Sequence, residues 1–323
     1  MIVGLTSEQA EAANLFFPYA MGEVERVARE GKRFVHYTTA DVAKSVLERR
    51  EIWMRNASTM NDFSEITYGL NTLQDCLYSE PGNRLRAILE SVHPGLMDEF
   101  LGRLRQHVDI FRTQTYLTCV SEHEGDEDIY GRLSMWRAYG GAAGVALVMH
   151  NAAFLTPTDV LRVYTSPVLY ADQGTFDRRF SEVVSALARR SDVLRMLGRE
   201  LLLEYLFNAC RFAILCTKHP GFREEREWRI IHTPPLDHSP HLGMGLESVR
   251  AVPQRVLKLP LRDHPGDGLI GLAPNLLIDR IIIGPTEHPA VLREAFIDLL
   301  AGAGVRNPAA KVVNSNIPLR DTR

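Results

Sequence analysis

Two glutamates, Glu225 and Glu227, stand in the stretch FREEREWRII (Phe222–Ile231), which carries six charged residues yet ends in an apolar pair. Side chains of a strand alternate between faces, so Glu225, Glu227 and Arg229 share one face and Arg226, Trp228 and Ile230 the other. Two uses fit that pattern. An edge or solvated strand would employ it for cross-strand charge pairing. A rigid strand beside a site would instead hold paired carboxylates ready for developing positive charge. Departure of nicotinamide from NAD creates such charge, an oxocarbenium-like ribosyl cation of the kind met in glycoside cleavage. A nearby carboxylate stabilises that cation and can bind a ribose hydroxyl.

Two other groups could complete such a site. His36, Tyr37 and Thr38 close a short predicted strand, RFVHYT, just before a helix. Thr39 can cap that helix while His36 sits satisfied in the core, or His36 and the hydroxyls can bond a ligand where helix N–H groups also point. In SMWRAYG, Trp136 and Tyr139 fall three residues apart on one helix face. They are either core packing or an aromatic wall for a flat ring. His232, His238 and His241 lie in a Pro-rich loop without a nearby cysteine. That spacing suits a mobile polar loop better than a metal site, and no metal is expected.

The elements that must position these residues are mixed. The patterns predict a helix over Thr6–Gly31, with Thr6 and Gln9 as a capping box, then strands at RFVHYT and REIWMRN around a helix with Val42, Ala43, Val46 and Leu47 on one stripe. They continue with a turn at MNDFSE, a helix over Asn83–His107, a strand at TQTYLTCVSE, and long helical character over Phe176–Cys216. Strands at EWRIIH, ESVRAV, RVLKL and DRIIIG and a helix over Glu287–Ala301 follow. Without regular βαβ alternation, the class is α+β. One domain spanning residues 1–323 is expected, with the N-terminal helix and a helical insertion over about 174–216 as its additions.

The balance of 37 basic against 40 acidic residues excludes a globally basic nucleic-acid binder, though not a local basic patch. Four scattered cysteines without a CxxC spacing argue for reduced thiols rather than a disulfide framework. The N-terminus lacks signal-peptide character and no apolar run is long enough to span a bilayer, so no membrane partner and a cytoplasmic location are expected. There is no Walker loop, GxGxxG, HExxH or GxSxG.

Taken in order, the blocks HYT (His36–Thr38), IW…MND.SE (Ile52–Glu65), T.CVSE with SMW.AYG..GVAL (Thr118–Glu122, Ser134–Leu147), E.EWRII (Glu225–Ile231), IIIGP (Ile281–Pro285) and SNIPLR (Ser315–Arg320) resemble an uncharacterised bacterial family, domain of unknown function twenty-nine seventy-one. The spacing of His, Tyr and Glu in turn resembles the ADP-ribosyltransferase superfamily. That resemblance implies a split antiparallel or mixed sheet that clamps NAD as substrate. It implies that His36, with Tyr37 and Thr38 nearby, meets the adenosine ribose, that Asn61, Trp136 and Tyr139 contribute to the NAD site, with Tyr139 against nicotinamide, and that Glu227 binds the nicotinamide ribose with Glu225 as accessory glutamate. The implied activity is transfer of ADP-ribose to an unknown macromolecular acceptor, protein or nucleic acid, or NAD glycohydrolysis, in a bacterial defence or toxin effector. Two other readings stay open: an inactive NAD- or nucleotide-binding module, and a nucleic-acid-linked regulatory protein using Arg49, Arg50, Arg55 and Arg223.

Overall fold

The computed structural model describes residues 7–59, 63–156, 158–249 and 251–318. Thr6 and Asn61 lie outside the described residues. The N-terminal segment is two helices rather than one, α1 (Ser7–Phe16) and α2 (Pro18–Arg29). Pro18 cannot continue a helix but suits a first turn, so the chain breaks at Phe17 and restarts. Then β1 (Arg33–Thr39), α3 (Ala40–Arg49) and β2 (Glu51–Asn56) follow as expected. Thr39 occupies the N-cap position of α3 without a capping bond, and Val42 is exposed while Ala43, Val46 and Leu47 are buried.

The region read as one helix over Asn83–His107 is also divided. After α4 (Phe63–Leu77) come α5 (Glu80–Val92) and α6 (Leu96–Thr113), separated at Pro94 and Gly95. Gly95 takes φ 77°, a conformation glycine adopts without steric cost. Next are β3 (Tyr116–His123), α7 (Leu133–Tyr139), β4 (Gly144–Met149), α8 (Ala152–Leu155), β5 (Tyr164–Pro167) and β6 (Leu169–Tyr170). The helical insertion is a pair, α9 (Gln173–Arg189) and α10 (Ser191–Leu215), the latter kinked at Gly198. The last third holds β7 (Thr217–Lys218), β8 (Glu227–His232), β9 (Gly243–Val249), β10 (Val252–Pro260), α11 (Pro274–Leu277), β11 (Ile278–Ile283), α12 (Pro289–Gly302), α13 (Pro308–Lys311) and β12 (Val312–Asn314). ESVRAV is not one strand: it contains the β9–β10 turn, where Ala251 takes φ 63°.

Ten strands form one mixed, mostly antiparallel sheet in the order β12-β11-β4-β1-β3-β2-β10-β9, with β8 paired to β3 and β5 to β8. Among the described residues only β11 and β12 run parallel within it, and β6 and β7 form a separate parallel pair. The chain is therefore α+β.

One junction shapes the rest. β8 lies along β3 from Tyr116 to Ser121 and takes one edge of that strand. The other edge is shared: β1 pairs at Ser121–His123 and β2 at Tyr116–Leu117. Among the described residues the two pairings stop at Leu117 and resume at Ser121, so the sheet opens where β1 and β2 diverge. The two faces are separately covered. On one, α4, α5, α6, α9 and α10 bury Leu89, Phe100, Phe111 and Phe207, while α7 packs Trp136 against Val35 and Tyr37. On the other, α3 and α12 enclose Phe34, Trp228 and Phe296.

Helix α4 can reach the sheet only because Gly69 faces α10: a Cβ there would lie 2.3 Å from the Ile214 carbonyl oxygen. Backbone cannot rotate away as a side chain can. Gly69→Ala is expected to lower stability by about 1–3 kcal/mol, read as a fall in the urea midpoint at unchanged slope.

Candidate functional site

Strand β8 is buried along its whole length, so the solvated-edge reading of FREEREWRII does not hold. Its central position explains this: β3 and β5 flank it on either side. Trp228 and Ile230 enter the core with Phe34 and Val120. Glu227 and Arg229 point to the opposite face, into a cluster of charges.

The centre of that cluster is Lys218, from the two-residue strand β7. Its ammonium lies 2.7 Å from Glu225, 2.9 Å from Glu65 and 3.1 Å from Glu227. The Arg229 guanidinium bonds the other Glu227 oxygen at 2.9 Å, pairs with Glu65, and donates to the Leu215 carbonyl at 2.6 Å. Lys218 and Arg229 are buried, 3% and 0% exposed at their side chains. A buried ammonium without partners would lose its charge, so the carboxylates are what keep Lys218 ionised, while the guanidinium of Arg229 stays charged in any setting. Burial alone would lower the Lys218 pKa, but the charges of Glu227, Glu65 and Glu225 outweigh it and raise it.

The two glutamates of β8 and its approach are driven apart. Burial favours the protonated form of Glu227, but Arg229 and Lys218 overcome it and pull the pKa down to about 2. Glu225 moves the other way, raised by burial and by the charges of Glu227 and Glu65 against the counteracting Lys218 bond. Glu225 is also the more reachable, 20% exposed at its side chain against 6% for Glu227. Glu227 is further fixed through its N–H, which donates to the Tyr170 hydroxyl at 2.8 Å, and through a bond from Cys119.

An aromatic rim faces this cluster. Tyr139, 39% exposed, has its hydroxyl pKa raised by burial and by the Glu225 charge, with a smaller contribution from Glu227. The Phe222 ring is exposed and lies 4.9 Å from the Lys218 ammonium. Three carboxylates against two cations leave the cluster anionic when Glu225 is ionised. Such a site, with open aromatic faces, suits a planar group that carries or develops positive charge.

The remaining sequence-derived residues divide. Trp136 is buried, not part of an open wall: its Nε1 donates to Tyr130 at 2.7 Å and its ring packs where any Cβ on Gly131, Gly144 or Gly284 would collide. Tyr37 stands edge-on to Trp136, and its hydroxyl accepts from the Arg132 N–H at 2.8 Å. An i,i+3 spacing does not reveal which of two aromatics meets solvent, and here it is Tyr139 alone.

His36 and Thr38 alternate with Tyr37, so they project to the sheet face opposite Glu227 and Tyr139. His36 nevertheless reaches the opening in the sheet. Its Nδ1 lies 2.9 Å from the Cys119 carbonyl oxygen. A carbonyl only accepts, so Nδ1 carries the proton and Nε2 is the acceptor of the neutral ring. Burial lowers the His36 pKa despite that bond and favours the neutral form. Cys119 thus joins the two sides, with its carbonyl on His36 and its side chain on Glu227.

The histidines of the Pro-rich region are not a cluster. His232 is buried on β8 with Nδ1 2.8 Å from the Arg162 carbonyl, while His241 packs on His264. Among the described residues, no group of three or more His, Cys, Asp or Glu could hold a metal ion. Arg49 pairs with Glu247 and lies over Trp53, and Arg55 bonds Gln254 and Thr59.

Residues 135–230 match the family described as Protein of unknown function (DUF2971). The DUF2971 segment runs from within α7 into β8 and contains Tyr139, Lys218, Glu225, Glu227 and Arg229, while His36 and Glu65 lie before it. No curated protein and no solved structure matches the chain. Among the described residues, no helix is long and apolar enough to cross a membrane.

Sequence reasoning named Arg229 only as a neighbour on the glutamate face, quoted Glu65 without a role, and passed over Lys218 and Tyr170. Glu65 sat inside a quoted block, which was the available signal. Lys218 gave none, because a two-residue strand has no periodicity.

Removing Arg229 would leave Glu65 and Glu227 buried with Lys218 alone. Arg229→Met is expected to cost roughly 3–5 kcal/mol, measured by denaturant unfolding. The pH dependence has a defined sign. Because Glu227 is depressed from 4.5 to about 2 in the folded state, its stabilisation is present above 4.5 and is lost as pH falls towards 2. Glu225, being raised, contributes the opposite way and loses its contribution as pH rises through its folded value. Glu227→Gln should flatten the acid limb of stability measured between those limits, and an unaltered limb would contradict the assignment.

Proposed function

We propose that this chain acts on NAD, breaking the bond between nicotinamide and ribose and passing ADP-ribose to water or to a macromolecular acceptor, protein or nucleic acid, as the likeness to ADP-ribosyltransferases implies. One observation carries the reading. Glu225 and Glu227 share a single ammonium, at 2.7 and 3.1 Å, yet are driven to opposite protonation preferences, and their charges act on the partly exposed Tyr139.

Two acids pushed apart can divide labour. Glu227, held as a permanent anion, favours positive charge as it develops at the ribosyl carbon. Glu225, reachable and more readily protonated, serves as the proton-transferring group. Tyr139 offers a face to the nicotinamide ring. As the carbon–nitrogen bond breaks, its electron pair leaves with the ring nitrogen as neutral nicotinamide. The incoming nucleophile bonds the ribosyl carbon, and its proton passes to Glu225. A role for His36 towards the same dinucleotide would require the ligand to pass through the opening between β1 and β2, because the ring is buried on the opposite face of the sheet.

A second reading, NAD binding without turnover, is favoured by one fact: both Glu227 oxygens already carry ion pairs. Purified protein incubated with NAD should release nicotinamide, followed by chromatography. Glu225→Gln and Glu227→Gln should each reduce the rate on the order of 100-fold. Saturable NAD binding without release, with or without protein and nucleic-acid acceptors, would select the second reading. Absence of both would sink the two together, and salt-sensitive binding to DNA or RNA independent of NAD would point to the nucleic-acid-linked alternative.

A further inference from the structure

Glu225 is not part of β8. It ends the 3-10 turn Pro220–Glu225, and the chain enters the strand only after Arg226, a non-glycine residue at φ 46° and ψ 47°. Left-handed backbone at a β-unbranched but bulky residue is costly and persists where the surroundings over-determine it. The Arg226 N–H donates to the Arg223 carbonyl at 3.2 Å, its carbonyl accepts from the Glu122 N–H at 3.0 Å and its guanidinium pairs with Glu124 at 2.8 Å, and one further buried side chain bridges the turn to its neighbours. The Arg132 guanidinium donates from Nη1 to the main-chain oxygens of Glu224 and Glu225, at 2.9 and 3.2 Å. From Nη2 it reaches the Glu122 carbonyl at 2.9 Å and Glu127 at 3.1 Å, and from Nε it reaches Glu127 at 2.9 Å. Those five bonds use all five guanidinium donors. The same residue's N–H donates to the Tyr37 hydroxyl, which ties β1 to the assembly.

We infer that Arg132 is the positioning residue for Glu225: it holds the Glu224–Glu225 main chain in the left-handed turn that brings this carboxylate to the same ammonium as Glu227. The inference rests on the reading of Glu225 given above for its kinetic consequence, and on geometry alone for its structural one. Arg132 is 8% exposed, and its five bonds go to the Glu127 carboxylate and to main-chain carbonyls rather than to the side chains of Glu225 and Glu227. It acts through the chain, from a fork that spans β3, the turn at Gly125–Glu127 and the approach to β8. Lysine cannot replace it, because an ammonium offers three donors from one point and cannot bridge carbonyls on opposite sides. The groups that face the Glu225 carboxyl come from every neighbouring element: Lys218 from β7, Glu65 from α4, Glu227 from β8 and Tyr139 from α7.

The test is Arg132→Lys in the full chain, with two readouts. The first is titration of the Glu225 side-chain carboxyl by carbon-13 NMR, its resonance identified by loss in Glu225→Gln. Release of the clamp should move the inflection towards the ordinary glutamate value by about half a pH unit or more. The second is nicotinamide release, whose kcat should fall about tenfold or more with little change in KM for NAD. A folded Arg132→Lys protein with the wild-type Glu225 titration would overturn the inference. Should Arg132→Lys fail to fold, Glu127→Gln, which frees one anchor of the guanidinium, should shift the same inflection in the same direction, and an unmoved inflection there would overturn it. Wild-type protein that releases no nicotinamide would defeat the proposed reaction while leaving the titration decisive for Arg132.

Discussion

Lys218 and Arg229 are cations placed where water does not reach, and the carboxylates around them come from separate parts of the chain. Glu65 arrives from α4, Glu225 from a 3-10 turn and Glu227 from β8. Burying ions costs more than their mutual attraction readily returns, so such a cluster is poor evidence for stability as such. It is good evidence for register. Each carboxylate must meet its cation with little freedom, which fixes α4 against α10, β7 against the end of β8, and the Glu225 turn against both. Gly69 belongs to the same constraint, because α4 can bring Glu65 down to Lys218 only if its backbone touches that of α10.

The opening in the sheet is the second consequence of β3 serving three partners. A strand has two edges, and β8 occupies one of them throughout its pairing. β1 and β2 must then meet the other edge at different ends, which leaves the Cys119 carbonyl facing the gap and His36 as its donor. A buried carbonyl without a donor would be costly, so His36 has structural work irrespective of any ligand. That same bond sets its tautomer and leaves Nε2 as an acceptor. The Cys119 bond supports the structural account of His36, one of the two that the residues alone left open.

Alternation in β8 was legible because period two survives any tertiary context: Trp228 and Ile230 lie in the core and Glu227 and Arg229 oppose them. The α+β class followed from the lack of βαβ order for the same reason. What local pattern could not supply was depth. FREEREWRII reads as solvated because charge is usually exposed, and only the 164-residue separation between Glu65 and Arg229 explains how these charges are buried together. Helix ends were missed where a proline or glycine overrode apolar periodicity, at Pro18 and Gly95, and Gly198 kinks α10 from within. Trp136 and Tyr139 show the limit of spacing arguments, since the larger ring went inward against Gly144 and Gly284 and the smaller one stayed at the surface.

The carboxylate pair acquires its asymmetry from the turn that separates its members. Had Glu225 continued the strand, it would share the environment of Glu227, flanked by the same buried cations and equally closed to solvent. The left-handed step at Arg226 instead brings it to Lys218 from outside the sheet, where burial and the charges of Glu227 and Glu65 oppose its ionisation. One carboxylate is thereby locked as an anion and the other is left able to exchange a proton. A site that required only a fixed negative charge would have no use for that difference. A reaction in which positive charge forms on one group while a proton leaves another would require it.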